Sequence, residues 1–386
     1  MLISKRLWKM SLVILMAAAL ALLGGCNKKP SSASSEILIG EFGAMTGATA
    51  TFGQSTDKGI TMAVEEANAA GGVLNRQVKV ISEDDQGNPE EAQTVVTKLI
   101  NKDRVSAILG EVASSNSLAA APVCQQSGIP MVTPASTNPK VTQVGNFIFR
   151  ICFIDPFQGQ VMAKFAFNSL KVKKVAILRD VNSDYSVGLA NFFKQNFEAM
   201  GGEITSDESY SQNDKDFSAQ LTSIKSANPE AIFIPGYYTE VGLIARQART
   251  LGISVPLMGG DGWDSEKLWE IGGDALNGCY FSNHYSVDDP SPAIQNFVTA
   301  FKAKYGGETP DAMSALGYDV AKVLIDAIKR ANSDNPDSIR MALASTQNFA
   351  GVTGAITLDS NRDAVKPAVV LQVKDGKFVY QETVAP

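Results

Sequence analysis

From residue 36 onward, short β-branched runs alternate with amphipathic helical stretches, and the alternation restarts after Asp155-Pro156. Strands separated by helices can pair only through crossovers, which makes a parallel sheet covered by helices on both faces. In the first run the patterning predicts strands at 37–40, 78–82, 105–110 and 130–132, with helices at 55–69, 88–102 and 114–126 between them. The first helix carries Ile60, Ala63, Val64 and Ala67 on one face and stops at Gly71-Gly72. The second run predicts strands at 174–178, 204–210, 231–235, 256–258 and 278–281, with helices at 185–200, 217–226, 240–251 and 265–271. At 386 residues the chain exceeds the roughly 250–300 that one core supports, so two doubly wound α/β lobes are expected. The last third breaks the rhythm, with long helices at 293–305 and 312–330, then strands at 368–373 and 377–381 around Asp375-Gly376. Such a tail fits segments that return to complete both lobes.

The first 25 residues belong to a different class. Lys5, Arg6 and Lys9 precede an uncharged Leu- and Ala-rich stretch too short to span a bilayer, ending in Leu23-Gly24-Gly25-Cys26. This ending resembles a bacterial lipobox and predicts cleavage and lipidation at Cys26. A tether at 26–35 follows, with no large apolar residue. The protein is therefore expected outside the cytoplasm, held at a membrane by its lipid. Cys124, Cys152 and Cys279 remain, an odd number without CxxC spacing, and read as buried thiols.

Several chemistries are excluded. The formal charge of −6, without a basic cluster beyond the first ten residues, argues against nucleic acid. The one histidine, His284, leaves no HExxH and no structural zinc site, and it reads as structural at a lobe crossing. There is no GxxxxGK[ST] loop and no GxSxG elbow, and Gly259-Gly260-Asp261-Gly262 places an acid where a phosphate needs donors. Asp84-Asp85 and Asp288-Asp289 are adjacent pairs whose side chains diverge, and they read as solvated loop carboxylates. Neither an enzyme nor a cofactor or metal is expected. An exported hydrolase would need a base, and His284 lies far from every serine-rich turn in this layout.

What the sequence offers is donors in one unit and an acid with aromatic rings in the other. Gly110-Glu111-Val112-Ala113-Ser114-Ser115-Asn116 opens a helix after a strand, a place for an anion or simply for a capping serine. Thr133-Pro134-Ala135-Ser136-Thr137-Asn138-Pro139 follows the next strand, on the same carboxyl edge. At the second unit's strand ends stand Tyr185, Tyr237-Tyr238 and Asp261, able to receive an ammonium. Together they describe a zwitterion site divided between two lobes.

These motifs stand in a telling order: Gly43-Ala44-Met45-Thr46-Gly47, Ala70-Gly71-Gly72, Glu83-Asp84-Asp85, the Thr133–Pro139 turn, Tyr185-Ser186-Val187-Gly188, Asp216-Phe217-Ser218, and Gly236-Tyr237-Tyr238 through Arg246-Gln247-Ala248-Arg249. The chain resembles the branched-chain amino-acid binding proteins of ABC transporters, the leucine/isoleucine/valine type in particular, over about 36–379. The resemblance implies a type I periplasmic binding fold, two lobes joined by a three-segment hinge near 154–156, 283–285 and 359–366. It divides the chain into lobe 1, residues 36–154 with 285–362, and lobe 2, residues 155–284 with 363–386. It implies an α-carboxylate held by Ser114, Ala135 and Thr137, with Ser136 in the same turn, and an α-ammonium met by Tyr185, Tyr237 and Asp261. Phe52 would stand in the mouth of the side-chain pocket. The implied partners are a free amino acid and an ABC permease with its ATPase, served by a monomer. Asp261 replaces the longer Glu of the leucine type, and Trp263 is large enough to reshape the cleft. The disulfide of some members is absent, since Gly87 and Ala113 occupy its positions. A short amide, urea or an aromatic acid is the alternative ligand class, and a ligand sensor for a separate signalling partner the alternative role.

Overall fold

The computed structural model describes residues 36–386, so the leader, Cys26 and the tether lie outside the described residues. The first sheet contains β1 (Glu36–Gly43), β2 (Gln77–Asp84), β3 (Ala107–Leu109), β4 (Met131–Thr133) and β5 (Ile148–Arg150) in the order β2-β1-β3-β4-β5. β1, β3, β4 and β5 run parallel, with Ile39 opposite Ala107 and Val132 opposite Phe149. Helices α1 (Ala50–Ala69), α2 (Pro89–Asn101) and α3 (Ser114–Ser127) connect its first strands, and a short α4 (Lys140–Gln143) precedes β5. Local chemistry sets these starts. Asn88 caps α2 by accepting from Glu90 and Glu91 N–H, with Pro89 in the first turn.

After β5 the chain crosses into α5 (Asp155–Lys164), continues through β6 (Lys174–Asp180), α6 (Asp184–Ala199), β7 (Glu203–Tyr210), α7 (Ser218–Ser226), β8 (Ala231–Phe233), α8 (Tyr238–Thr250), β9 (Leu257–Gly259), α9 (Glu266–Gly272) and β10 (Tyr280–Asn283). It then returns through α10 (Pro292–Lys304), α11 (Ala312–Ala331), α12 (Pro336–Ala344) and the hairpin β11 (Phe349–Gly351) and β12 (Gly354–Ile356). The chain ends in β13 (Ala368–Lys374) and β14 (Lys377–Val384). The second sheet is ordered β14-β13-β10-β9-β8-β6-β7, parallel from β7 to β10 and antiparallel where β13 and β14 join.

The C-terminal third thus serves both halves. β13 and β14 extend the second sheet, and α11 packs along α1 beside the first. That packing is backbone to backbone: a Cβ on Gly59 would lie 2.1 Å from the Ser314 carbonyl oxygen, and one on Gly317 would lie 2.3 Å from that of Thr56. The sequence periodicity assigns no element to 155–173 or 336–344, where α5 and α12 stand, and it starts α1 five residues late. In α1 the missed turn contains Gly53, which weakens a helical pattern but here admits the Ala44 carbonyl.

Candidate ligand-binding site

In the first half, two turns at the carboxyl edge are bonded into one surface. Thr133 Oγ1 donates to the Glu111 carbonyl (2.6 Å) and accepts from Ser136 N–H (2.9 Å). The Ser136 hydroxyl pairs with Ser117 Oγ (2.7 Å) and lies 2.9 Å from the Glu111 carbonyl, so it is spent in holding the turns together. Buried Arg150 grips the same turn through Nη1 to the Ser136 carbonyl (2.6 Å) and pairs with Asp363 from the third crossing. α3 begins at Ser114 after an extended Ala113 that offers no side-chain cap, leaving first-turn amides for another acceptor. Ser114 Oγ accepts from Asn138 N–H (3.2 Å), which ties the two turns together. Thr137 is 1% exposed, and its Oγ1 has no hydrogen-bond partner.

In the second half, Asp261 follows β9 in a short 3₁₀ turn and is 3% exposed. Its Oδ1 accepts from Gln158 Nε2 and from Tyr185 OH, both at 2.8 Å, and its Oδ2 lies 2.9 Å from His284 Nε2. Glycines let these groups converge, since a Cβ on Gly260 would lie 2.5 Å from the Tyr185 hydroxyl. The His284 ring stacks on Phe153 with centroids 4.0 Å apart. Burial pushes its pKa below the ordinary value, and the bond to Asp261 only partly offsets this. A neutral imidazole donating through Nε2–H fits both facts. Asp261 therefore receives three neutral donors, and no lysine or arginine pairs with it among the described residues. Removing a carboxylate from water without a cation costs several kcal/mol.

Asp155, at the start of α5, is fully buried, and neither of its oxygens has a hydrogen-bond partner. Burial raises its pKa to about 8, with the charge of Asp261 acting in the same sense and that of Arg150 against it. Burial thus favours its neutral form.

The halves are closed on each other. Ser115 Oγ bonds Asp184, Asn138 Nδ2 donates to the Asp184 carbonyl (2.7 Å), and Thr239 Oγ1 donates to the Ala48 carbonyl (2.7 Å). Phe52 meets Tyr237 and Tyr238 edge-on, with centroids at 5.7 and 5.0 Å, and Tyr237 stacks on Tyr185 at 5.3 Å. Contacts run without a break from Phe52 through Tyr237 and Tyr185 to Asp261. Ser114, Ala135 and Thr137 are buried on the facing edge, where Asn138 and Ser115 bond the residue before Tyr185.

No sequence motif marks Gln158 or Asp155, and His284, read from sequence as structural at a crossing, bonds Asp261. Trp263 is fully buried behind Gly259, with Nε1 bonded to the Ile234 carbonyl (3.0 Å). Asp85 is likewise not solvated. It is fully buried against Asn116 Nδ2, and burial lifts its pKa to about 6. Cys124, Cys152 and Cys279 are free and buried. A groove of about 740 Å³ runs along the seam past Thr51, Asp264, Tyr285 and Asp311, beside the Asp261 cluster and not within it.

Residues 36–377 match the family described as periplasmic binding protein. The Leu/Ile/Val-binding protein homolog 3 of Brucella melitensis is 32% identical over 352 residues, covering 90% of this chain and 94% of the relative. The crystal structure of the leucine-binding protein LivK from Thermotoga maritima superposes with a TM-score of 0.88 at 44% identity, over 91% of this chain and 99% of that one. The branched-chain amino acid transporter substrate-binding protein LivJ from Streptococcus pneumoniae, solved with isoleucine, gives 0.86 at 34% identity, over 91% and 100%.

Proposed function

The chain belongs to the periplasmic binding protein family, and on that footing we propose that it captures a free amino acid between two closing lobes and hands it to an ABC importer. A branched-chain or other aliphatic side chain is favoured, in keeping with the ligands named for its relatives. The observation that carries this reading is Asp261, a buried carboxylate held by Gln158, Tyr185 and His284 and paired with no lysine or arginine among the described residues. The ligand's ammonium supplies that cation. Its carboxylate lies across the cleft on the first-turn amides of α3, the Ser114 and Thr137 hydroxyls and the Ala135 backbone, where the helix dipole favours an anion. Phe52 and the tyrosines close over the side chain and exclude water.

The lobes of this trap are residues 36–154 with 285–362 and residues 155–284 with 363–386. Lipidation at Cys26 keeps the protein on the outer side of a membrane, where a monomer docks on its permease.

A thermal-shift screen of the soluble protein, unfolded and refolded to strip bound ligand, tests the reading against amino acids, amides, urea and aromatic acids. A ligand at about 100 times its Kd adds about 2.7 kcal/mol, a rise of a few degrees in Tm. Leucine, isoleucine or valine is expected to produce it. Silence from every amino acid, with a shift from an amide or an aromatic acid, refutes the role given to Asp261.

A further inference from the structure

His284 is the only histidine in the chain, and it stands where β10 ends and the backbone leaves the second sheet. Its Nε2 touches Asp261 Oδ2, its face lies on Phe153, and its Nδ1 is buried without a partner. The ring therefore cannot swing away from Asp261 without losing its stack, and a proton added at Nδ1 finds no acceptor. The charged and titratable groups around it are few. Asp261 is in contact with it, and Asp155 on α5 acts electrostatically on Asp261. Asp264 bonds the neighbouring Asn283 side chain. Lys366 opposes protonation of the ring from the third crossing, where it bonds Thr353 Oγ1 and faces Asp319, and Arg150 is paired with Asp363.

Resting on the zwitterion reading, we propose that His284 is a positioning residue that aims Asp261 while neutral and, once protonated, competes with the ligand's ammonium for that carboxylate, so that capture weakens on acidification. Neutral His284 fills one site on Oδ2 and leaves the carboxylate its charge. Imidazolium keeps the same bond but brings the positive charge the ligand would bring, and two cations on one buried carboxylate repel each other. Ring protonation and ligand binding therefore oppose each other, and by linkage each weakens the other equally.

A single histidine makes the test direct. The imidazole C–H resonance of the full chain, purified without a histidine tag, is followed by NMR across acidic and neutral pH with and without saturating leucine. Leucine is expected to lower the titration midpoint by about one pH unit or more. An identical midpoint in both states, or a ring that never titrates before the protein unfolds, overturns the proposal. By calorimetry, Kd for leucine rises by up to about tenfold per pH unit below the free midpoint. His284→Gln places an amide N–H where Nε2–H was but cannot take the charge. It is expected to weaken binding several-fold at neutral pH and to abolish most of the acid slope. A slope unchanged in His284→Gln overturns the proposal, and if that variant does not fold the imidazole titration decides alone. No binding of any amino acid at neutral pH is a different failure, since it removes the zwitterion reading and this inference with it.

Discussion

Replacing Asp261 with Asn deletes one charge and almost no volume. The amide oxygen can keep the bonds from Gln158 and Tyr185, while the amide nitrogen turns toward His284, whose other tautomer accepts there. Packing is thus preserved, and on the proposed reading the ligand's ammonium loses the charge of Asp261. Leaving one member of a buried ion pair unmatched costs about 3–5 kcal/mol, roughly a hundredfold to several-thousandfold in Kd. The free protein responds in the opposite sense, because the substitution removes a buried charge that has no cation in the absence of ligand. Its Tm is expected to hold or rise while the leucine-induced shift disappears. Calorimetry on refolded protein gives Kd, and scanning fluorimetry gives both melting temperatures. An Asp261→Asn variant that binds leucine within about threefold of the parent would refute the reasoning, because the charge would then contribute less than about 1 kcal/mol.

Phe52→Ala removes the edge-on contacts with Tyr237 and Tyr238 that the lobes share. At about 0.5–1.5 kcal/mol per aromatic pair, a roughly tenfold or greater rise in Kd is expected by calorimetry. Asp155 has a raised pKa of about 8, so its folded form holds a proton that the unfolded chain releases near pH 4, and its contribution to stability falls as pH climbs between those values. Asp155→Asn is therefore expected to raise Tm at about pH 8 and to leave it nearly unchanged at about pH 4. Gly59→Ala forces a methyl group to within 2.1 Å of the Ser314 carbonyl. Separation of α1 from α11 is expected to cost about 1–3 kcal/mol in denaturant unfolding.

The lobe plan was legible because each strand and helix carries its own period. β6 and β8 are short apolar runs, and α8 shows buried positions at helical spacing at Val241, Ile244, Ala245 and Ala248. α5 escaped notice because it is buried on several sides, so Gln158, Val161, Met162 and Ala163 give no polar face to read. Order along the chain also exposed the donor turns and Asp261, because ligands sit where strands of an open sheet end. His284 and Gln158 were not legible as partners of Asp261. They lie 23 and 103 residues from it, and nothing local marks a side chain that will meet another across the fold.

By itself the sequence determined the strand–helix alternation, its restart, the glycines at strand ends and the residue types able to hold a zwitterion, because propensity, periodicity and turn chemistry act over a few neighbours. It took the assembled fold to spend Ser136 inside a turn, to pack Trp263 in the core, to bury Asp155 and to bring His284 against Asp261. Those outcomes depend on which groups lose water and which donors they then meet, and desolvation is set by the packing of distant segments.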